Sequence, residues 1–237
     1  MSQQHSFFDS IFGYFVSVHR DGHKFIGIGL VSTLVLFWIW SPLGWLALFA
    51  TLWVAYFFRD PDRVTPLRAG LVIAPADGVI CRIERVRPPD ELSLGEERRV
   101  CISICLSPFD VHVNRAPVAG RIVRSVYIPG VFLNPNLDKA SEENERRALV
   151  IKPSEGGEIA LVQIAGVVSR RIISFAQEGD TLGVGQRFGL IRFGSRVDIY
   201  LPPGKTALVA VDQRMIAGET VLADLVSDEP ERESRRS

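Results

Sequence analysis

At 237 residues the chain suits one globular domain with an appendage. Its 27 Lys and Arg offset 27 Asp and Glu, so there is no net charge and no basic footprint of the kind that nucleic-acid binding requires. Cys81, Cys101 and Cys105 are too few and wrongly spaced for a disulfide framework or a zinc site, and unpaired thiols suit a reducing cytosolic environment.

The first element is apolar. Phe25 to Phe58 carry no charge, and all four Trp (Trp38, Trp40, Trp45, Trp53) fall in the first quarter of the chain. Ser41-Pro42-Leu43-Gly44 breaks the run into two halves of roughly 16 to 17 residues, near the lower limit for a transmembrane helix. Positive residues lie before it (Arg20, His23, Lys24) and after it (Arg59, Arg63, Arg68), which favours both ends in the cytoplasm with the Pro-Gly turn at the far interface. A buried hairpin of a soluble protein is the plainer alternative, but soluble helices rarely stay uncharged for so long. A signal peptide would be shorter and end in a small-x-small site.

Beyond Arg59 come short β-prone segments punctuated by Gly and Pro. Strands are predicted over 71–73, 79–86, 100–106, 121–128, 149–151, 159–164, 167–173 and 207–211, a spacing that means a sandwich or barrel. Ala74-Pro-Ala-Asp-Gly-Val-Ile-Cys-Arg-Ile is echoed by Ala116-Pro-Val-Ala-Gly-Arg-Ile-Val-Arg-Ser. With the paired Gly turns of 177–191, this pattern resembles the barrel-sandwich hybrid of biotinyl and lipoyl domains, without their cofactor-bearing lysine. The expected fold is mainly β (α+β, barrel-sandwich-hybrid-like) with an N-terminal hydrophobic helical hairpin. The domains are 1–60, membrane-associated; 61–227, β-rich and expected to hold any catalytic site; and 228–237, a charged tail expected to be disordered. Asn134 to Arg147 reads as a polar loop with one helical turn capped at Ser141.

Gly194-Ser195 is the only Gly-Ser step in the chain. Phe188 to Phe193 on one side and the alternation Val197, Ile199, Leu201 on the other predict two strands joined by a tight hairpin at Phe-Gly-Ser-Arg. A hydroxyl on such a turn is placed to attack the carbonyl before it, the first step of self-cleavage; an ordinary turn is the simpler use of the same residues. His112 is the sole His beyond the membrane segment, in Ser107-Pro-Phe-Asp-Val-His. If His112 and Asp77, in Pro75-Ala-Asp-Gly78, meet Ser195, they form an acid-base-hydroxyl arrangement. Asp77 is otherwise a turn residue, and Asn144, Glu145 and Arg146 are otherwise a solvated loop.

Five elements in order, 75–78, 107–112, Pro129-Gly-Val-Phe132, Asn144-Glu-Arg146 and Phe193-Gly-Ser-Arg196, resemble the short bacterial phosphatidylserine decarboxylases over about residues 60 to 215 and the hydrophobic N-terminus. The resemblance implies cleavage between Gly194 and Ser195 into a β chain (1–194) and an α chain (195–237). Ser195 becomes a pyruvoyl group, which forms a Schiff base with the amine of phosphatidylserine and acts as the electron sink for decarboxylation to phosphatidylethanolamine. It implies no metal and no nucleic-acid partner, an association of the two fragments with or without a higher oligomer, and residence on the cytoplasmic side of the inner membrane. His112, Asp77 and Ser195 become the catalytic candidates, with Asn144, Glu145, Arg146 and Arg115 as substrate-binding candidates. One departure bears on mechanism: where the longer branch of the family carries a second His, three residues after the first, this chain has Arg115. Two other readings stay open. A membrane-anchored barrel-sandwich adaptor would carry coiled-coil heptads, and a non-cleaving serine hydrolase would carry a Gly-x-Ser-x-Gly elbow; neither pattern is found in the sequence.

Overall fold

The computed structural model describes residues 17–130, 144–166, 171–192, 195–227, 229–230 and 232, with the backbone alone at Ser195. The first four residues of the expected strand 167–173, the turn at Ser141 and most of the 228–237 tail lie outside the described residues. The chain divides into two compact units, Met1–Asp62 and Arg63–Ser237.

The first unit is a helical hairpin. Helix α1 (Arg20–Ile39) starts after His19, whose Nδ1 accepts the Asp21 N–H at 3.3 Å, and Asp21 sets a negative charge at the positive end of the helix dipole. Trp40 turns extended and ends it; α2 (Ser41–Phe57) follows at once, with Pro42 in its first turn, where no intrahelical N–H is lost. The reversal is therefore the single residue Trp40, and the Ser-Pro-Leu-Gly stretch expected to form the turn opens α2 instead. Small residues bring the helices together. A Cβ on Gly29 would lie 2.5 Å from Thr51 Oγ1, and the Thr33 and Thr51 hydroxyls are 3.4 Å apart, each also bonded to its own helix. Ile28, Val31, Leu34, Trp38, Leu46 and Phe49 face outward, exposed. Helix α1, 20 residues and about 30 Å long, is long and apolar enough to cross a membrane. His19 N–H donates to Phe58 O (2.8 Å) and Asp60 N–H to Ser17 O (2.7 Å), so both ends of the hairpin leave on the same side.

The second unit is antiparallel β. Its strands are β1 (Leu71–Ile73), β2 (Gly78–Val86), β3 (Arg99–Leu106), β4 (Val113–Arg115), β5 (Gly120–Ile128), β6 (Arg146–Lys152), β7 (Ile159–Ala165), β8 (Ile172–Ser174), β9 (Thr181–Leu182), β10 (Arg187–Ile191), β11 (Ser195–Tyr200), β12 (Arg214–Met215) and β13 (Val221–Asp224). Eight form one sheet in the order β12-β2-β3-β11-β7-β6-β5-β9; β4-β10-β8 and β1-β13 form two small ones. Period-2 alternation sends Ile102, Ile104, Leu149, Ile151, Leu161, Val197 and Ile199 into the main core, which the small sheets complete with Val72, Ala223, Phe188 and Ile191. The opposite face carries a second cluster, Cys101, Ala148, Val150, Val162, Ile164 and Tyr200, beneath Leu92.

The sequence echo is a structural repeat. Gly78 and Gly120 each open a nine-residue strand, and each strand bulges just after Ile80 or Ile122. Each Gly meets a facing carbonyl, at 2.4 Å (Cys105 O) and 2.5 Å (Lys152 O) from where a Cβ would stand. The halves β12-β2-β3-β11 and β9-β5-β6-β7 are mirrored in the sheet order about the β11–β7 pair.

Several expectations are corrected. The hairpin at Phe-Gly-Ser-Arg does not form: β10 pairs with β4 and β8, whereas β11 pairs with β3 and β7, so the chain crosses from one sheet to another between them. Each strand has apolar residues enough for a different layer, and local turn signals could not show that. Cys81 and Cys105 are not free thiols; they form a disulfide between adjacent strands, because the β2 bulge at Cys81 carries its side chain across to Cys105. Ala207–Val211 is no strand: its buried residues cap the core from an irregular segment, with Leu208 N–H donating to Leu222 O of β13 (2.8 Å). Arg146 and Arg147, assigned to the polar loop, begin β6.

Candidate active site

One end of the large sheet gathers the candidates. Ser195, first residue of β11, pairs with Leu106, last of β3, and with Ala165, last of β7. On the β3 side Val79 pairs with Cys105, which sets Gly78 beside Leu106; on the β7 side Ala165 N–H donates to Glu145 O at 2.9 Å. Strands are spaced at about 4.8 Å, so the backbones of Gly78 and Glu145 flank Ser195 at roughly 10 Å on either side.

Asn144 and Glu145 are buried here. Asn144 Nδ2 donates to Ala165 O (2.7 Å), fixing the residue that faces Ser195, and Glu145 Oε1 accepts Ile172 N–H (3.1 Å). Desolvation raises the pKa of Tyr127 on β5, and the neighbouring Glu145 adds to the shift.

His112 reaches the same end from the small sheet. It is fully buried just before β4; its carbonyl accepts Ile191 N–H (3.2 Å) and its Nδ1 lies 2.9 Å from Asp110 O. Ile191 ends β10, three residues before Gly194. Arg115 sits at the opposite end of that ladder, against Arg187, and its Nη1 donates to Gly185 O (3.1 Å). The departure at 115 therefore falls at the end of β4 away from Ile191.

Asp77, just ahead of β2, is clamped by Arg63, whose Nη2 reaches both carboxylate oxygens (3.0 and 2.8 Å), and by Ala217 N–H (2.8 Å). Its hydrogen bonds thus go to Arg63 and Ala217, not to His112. Arg63 entered the sequence reading only as a flanking positive charge. Arg146 turns to the other face of the sheet, pairing with Glu91 (2.7 Å) at a cavity of about 520 Å³ also lined by Arg196, Asp198 and Tyr200. There Arg196 Nε lies 2.9 Å from Asp198 Oδ1, and burial pushes the Asp198 carboxyl up despite that cation. The structure thus brings Ser195, Asn144, Glu145, His112 and Asp77 to one end of the fold; it directs the Arg115 and Arg146 side chains elsewhere.

Further buried groups escaped sequence reading. Asn114 Oδ1 accepts Gln163 Nε2–H (2.7 Å) with both residues fully buried, next to Gly189. Asp110 accepts Ser107 N–H (2.8 Å) and pairs with Arg214, fixing the 107–110 turn. The Asn114–Gln163 and Asp110–Arg214 pairs have no local signature, since each partner is distant in the chain; only the Ser107–Asp110 bond is local. Among the described residues no cluster of three His, Cys, Asp or Glu could hold a metal ion.

Comparison with known proteins places the chain among the lyases made as proenzymes. The family model described as phosphatidylserine decarboxylase matches residues 50–223. Curated relatives named phosphatidylserine decarboxylase proenzyme include one from Beijerinckia indica, 57% identical over 213 residues (90% of this chain, 91% of the relative). Others are from Nitrobacter winogradskyi, 58% identical over 207 residues (87% and 84%), and Ruegeria pomeroyi, 55% identical over 208 residues (88% and 95%). The chain belongs to the phosphatidylserine decarboxylase family.

Proposed function

We propose that this chain converts phosphatidylserine to phosphatidylethanolamine through a pyruvoyl group made from its own Ser195. The observation that carries the reading is the place of Ser195: first residue of a strand held by ladders on both sides, at the sheet end where His112, Asn144 and Glu145 are buried. A new chain terminus there stays fixed after the bond before it is cut, which is what a carbonyl group built on that terminus needs.

Maturation begins with attack of the Ser195 hydroxyl on the Gly194 carbonyl carbon; the peptide C–N bond breaks and an ester forms. Loss of the Ser195 α-proton expels the Gly194 carboxylate, and water then replaces the nitrogen, which leaves as ammonia. The resulting ketone supplies the electron-withdrawing group for decarboxylation. His112 is assigned the proton transfers, as the buried imidazole beside Ile191 at the end of β10 that leads to Ser195. Asp77, paired with Arg63 and accepting Ala217 N–H, is assigned the positioning of the start of β2, where its catalytic part is indirect. Substrate contact is kept for Asn144 and Glu145, two strands from Ser195.

The hairpin of α1 and α2 anchors the chain in the inner membrane. Both its ends lie on one side, and the flanking Arg20, Lys24, Arg59 and Arg63 make that side cytoplasmic.

The deciding experiment compares wild type with Ser195→Ala. Wild type should run as two fragments on denaturing electrophoresis, the smaller beginning with a blocked, pyruvoyl-bearing residue 195. Cyanoborohydride with phosphatidylserine should couple the lipid amine to that fragment. Ser195→Ala should stay whole and inactive. An uncut wild-type chain that decarboxylates the lipid, or a small fragment starting at unmodified Ser195, refutes the assignment.

A further inference from the structure

The site end of the sheet carries exposed aromatic and aliphatic side chains on either side of Ser195. Phe109 is 62% exposed at the tip of the loop that follows β3, one strand away. Tyr127 is 51% exposed near the end of β5, three strands away on the other side, and Ile216 is 39% exposed just past β12. The Phe109 tip is built, not loose. Ser107 N–H donates to the buried Asp110 carboxylate (2.8 Å), Asp110 N–H to Ser107 O (3.0 Å) and Phe109 N–H to Ser107 Oγ (3.3 Å). A turn this well tied, with a buried carboxylate at its base, holds Ser107, Pro108 and Phe109 out in water. Cations accompany it: Arg214, its side chain 64% exposed, pairs with Asp110 beside the tip, and exposed Arg171 lies across the same end, where its charge acts on Tyr127.

We propose that this rim (Phe109, Tyr127 and Ile216 with Arg214 and Arg171) is a docking surface for an anionic phospholipid bilayer, and that it seats the Ser195 end of the sheet on the lipid interface. The proposal rests on the decarboxylase reading and adds to it. A hairpin alone tethers the chain to the membrane but leaves the site free to face away. A diacyl substrate must bring its headgroup to Ser195 without its chains leaving the bilayer, so an apolar rim around the site shortens that path. Aromatic side chains paired with cations are the combination that the headgroup region favours, and arginines add attraction where the lipid is anionic.

The test uses the full chain reconstituted in phosphatidylcholine vesicles with phosphatidylglycerol. An environment-sensitive dye on Phe109→Cys should shift to the blue and be quenched by lipids brominated in the acyl chain. The same dye on Glu96→Cys, beyond the opposite end of β3, should report water. Phe109→Ser should lose roughly tenfold in turnover of long-chain phosphatidylserine in vesicles, the effect of withdrawing a partly buried aromatic from lipid. It should still self-cleave and turn over a short-chain, monomeric phosphatidylserine as wild type does. Equal signals at 109 and 96, an unchanged vesicle rate, or an equal loss on both substrates overturns the docking surface. Failure of wild type to cleave or to decarboxylate either substrate counts against the decarboxylase reading itself.

Discussion

Gly78→Ala tests whether the end of β2 sets the position of Ser195. Gly78 has φ +150, and a Cβ there would stand 2.4 Å from Cys105 O and 3.0 Å from Cys105 C, where ordinary contact begins at 3.4 Å. The obstacle is backbone, so β3 itself must move by about 1 Å, and the next residue of β3, Leu106, is the partner of Ser195. Overpacking of this kind costs about 1–3 kcal/mol, and a non-glycine residue in that backbone region about 1–3 kcal/mol more. Together, about 2–6 kcal/mol should lower the Tm by roughly 4–24 °C in a chain of this size. A misplacement of about 1 Å at a reacting bond can cost about a hundredfold in rate. Conversion of precursor to fragments, followed over time on denaturing gels well below the variant's Tm, should slow accordingly. Gly204→Ala is the control: φ is +79 but nothing lies within 4 Å, so only backbone strain of about 1–2 kcal/mol applies and cleavage should keep its rate. Wild-type conversion by Gly78→Ala, with a Tm loss no larger than the control's, would refute the reasoning.

His112→Ala should lower decarboxylation by about 100- to 10,000-fold, measured as carbon dioxide release from whatever processed enzyme forms; near-normal turnover would move the proton transfers to the Glu145 side. Extraction of membranes at alkaline pH should leave the protein in the pellet, and its release would make the hairpin a peripheral attachment. Asp224 gives a pH dependence: burial pushes its carboxyl up, but the N–H groups of Val226 and Ser227 and the Arg68 guanidinium outweigh that and hold it below its ordinary value. A depressed folded pKa stabilises fully above the unfolded value of about 3.9 and is lost as pH falls through the folded one. Asp224→Asn should therefore cost about 1.5 kcal/mol at neutral pH, with the Tm gap to wild type closing in acid; a gap that widens in acid contradicts the assignment.

What the sequence disclosed was whatever short range encodes. The alternation Val197, Ile199, Leu201 does enter the core, and the Ala-Pro-x-x-Gly echo marks two strands with the same opening and the same bulge. The uncharged run forms the hairpin, with its break displaced to Trp40 because Pro42 is welcome in a first helical turn. Pairing was not legible. A strand, a bend and another strand look alike whether the two strands join each other or part for different sheets, and β10 and β11 part. The link between Cys81 and Cys105 depends on a bulge that sequence spacing does not reveal. Of the proposed site, Ser195, His112 and Asp77 stand out in the sequence by motif and type, whereas the Arg63 clamp and the Asn114–Gln163 pair arise from long-range contacts alone.

The place of β11 between β3 and β7 also fixes an order of events. Residues 195–237 supply β11 to the middle of the large sheet, β12 to its edge and β13 to the partner of β1. A precursor threads these strands home as one molecule, at a rate independent of concentration. If the bond before Ser195 is cut as proposed, the same sheet can be rebuilt only by two chains meeting, and the shorter one would present isolated strands with no sheet of their own. On the proposed cleavage, folding has to come first, and a cut enzyme is expected to keep its structure by slow unfolding and not by ready return from the unfolded state.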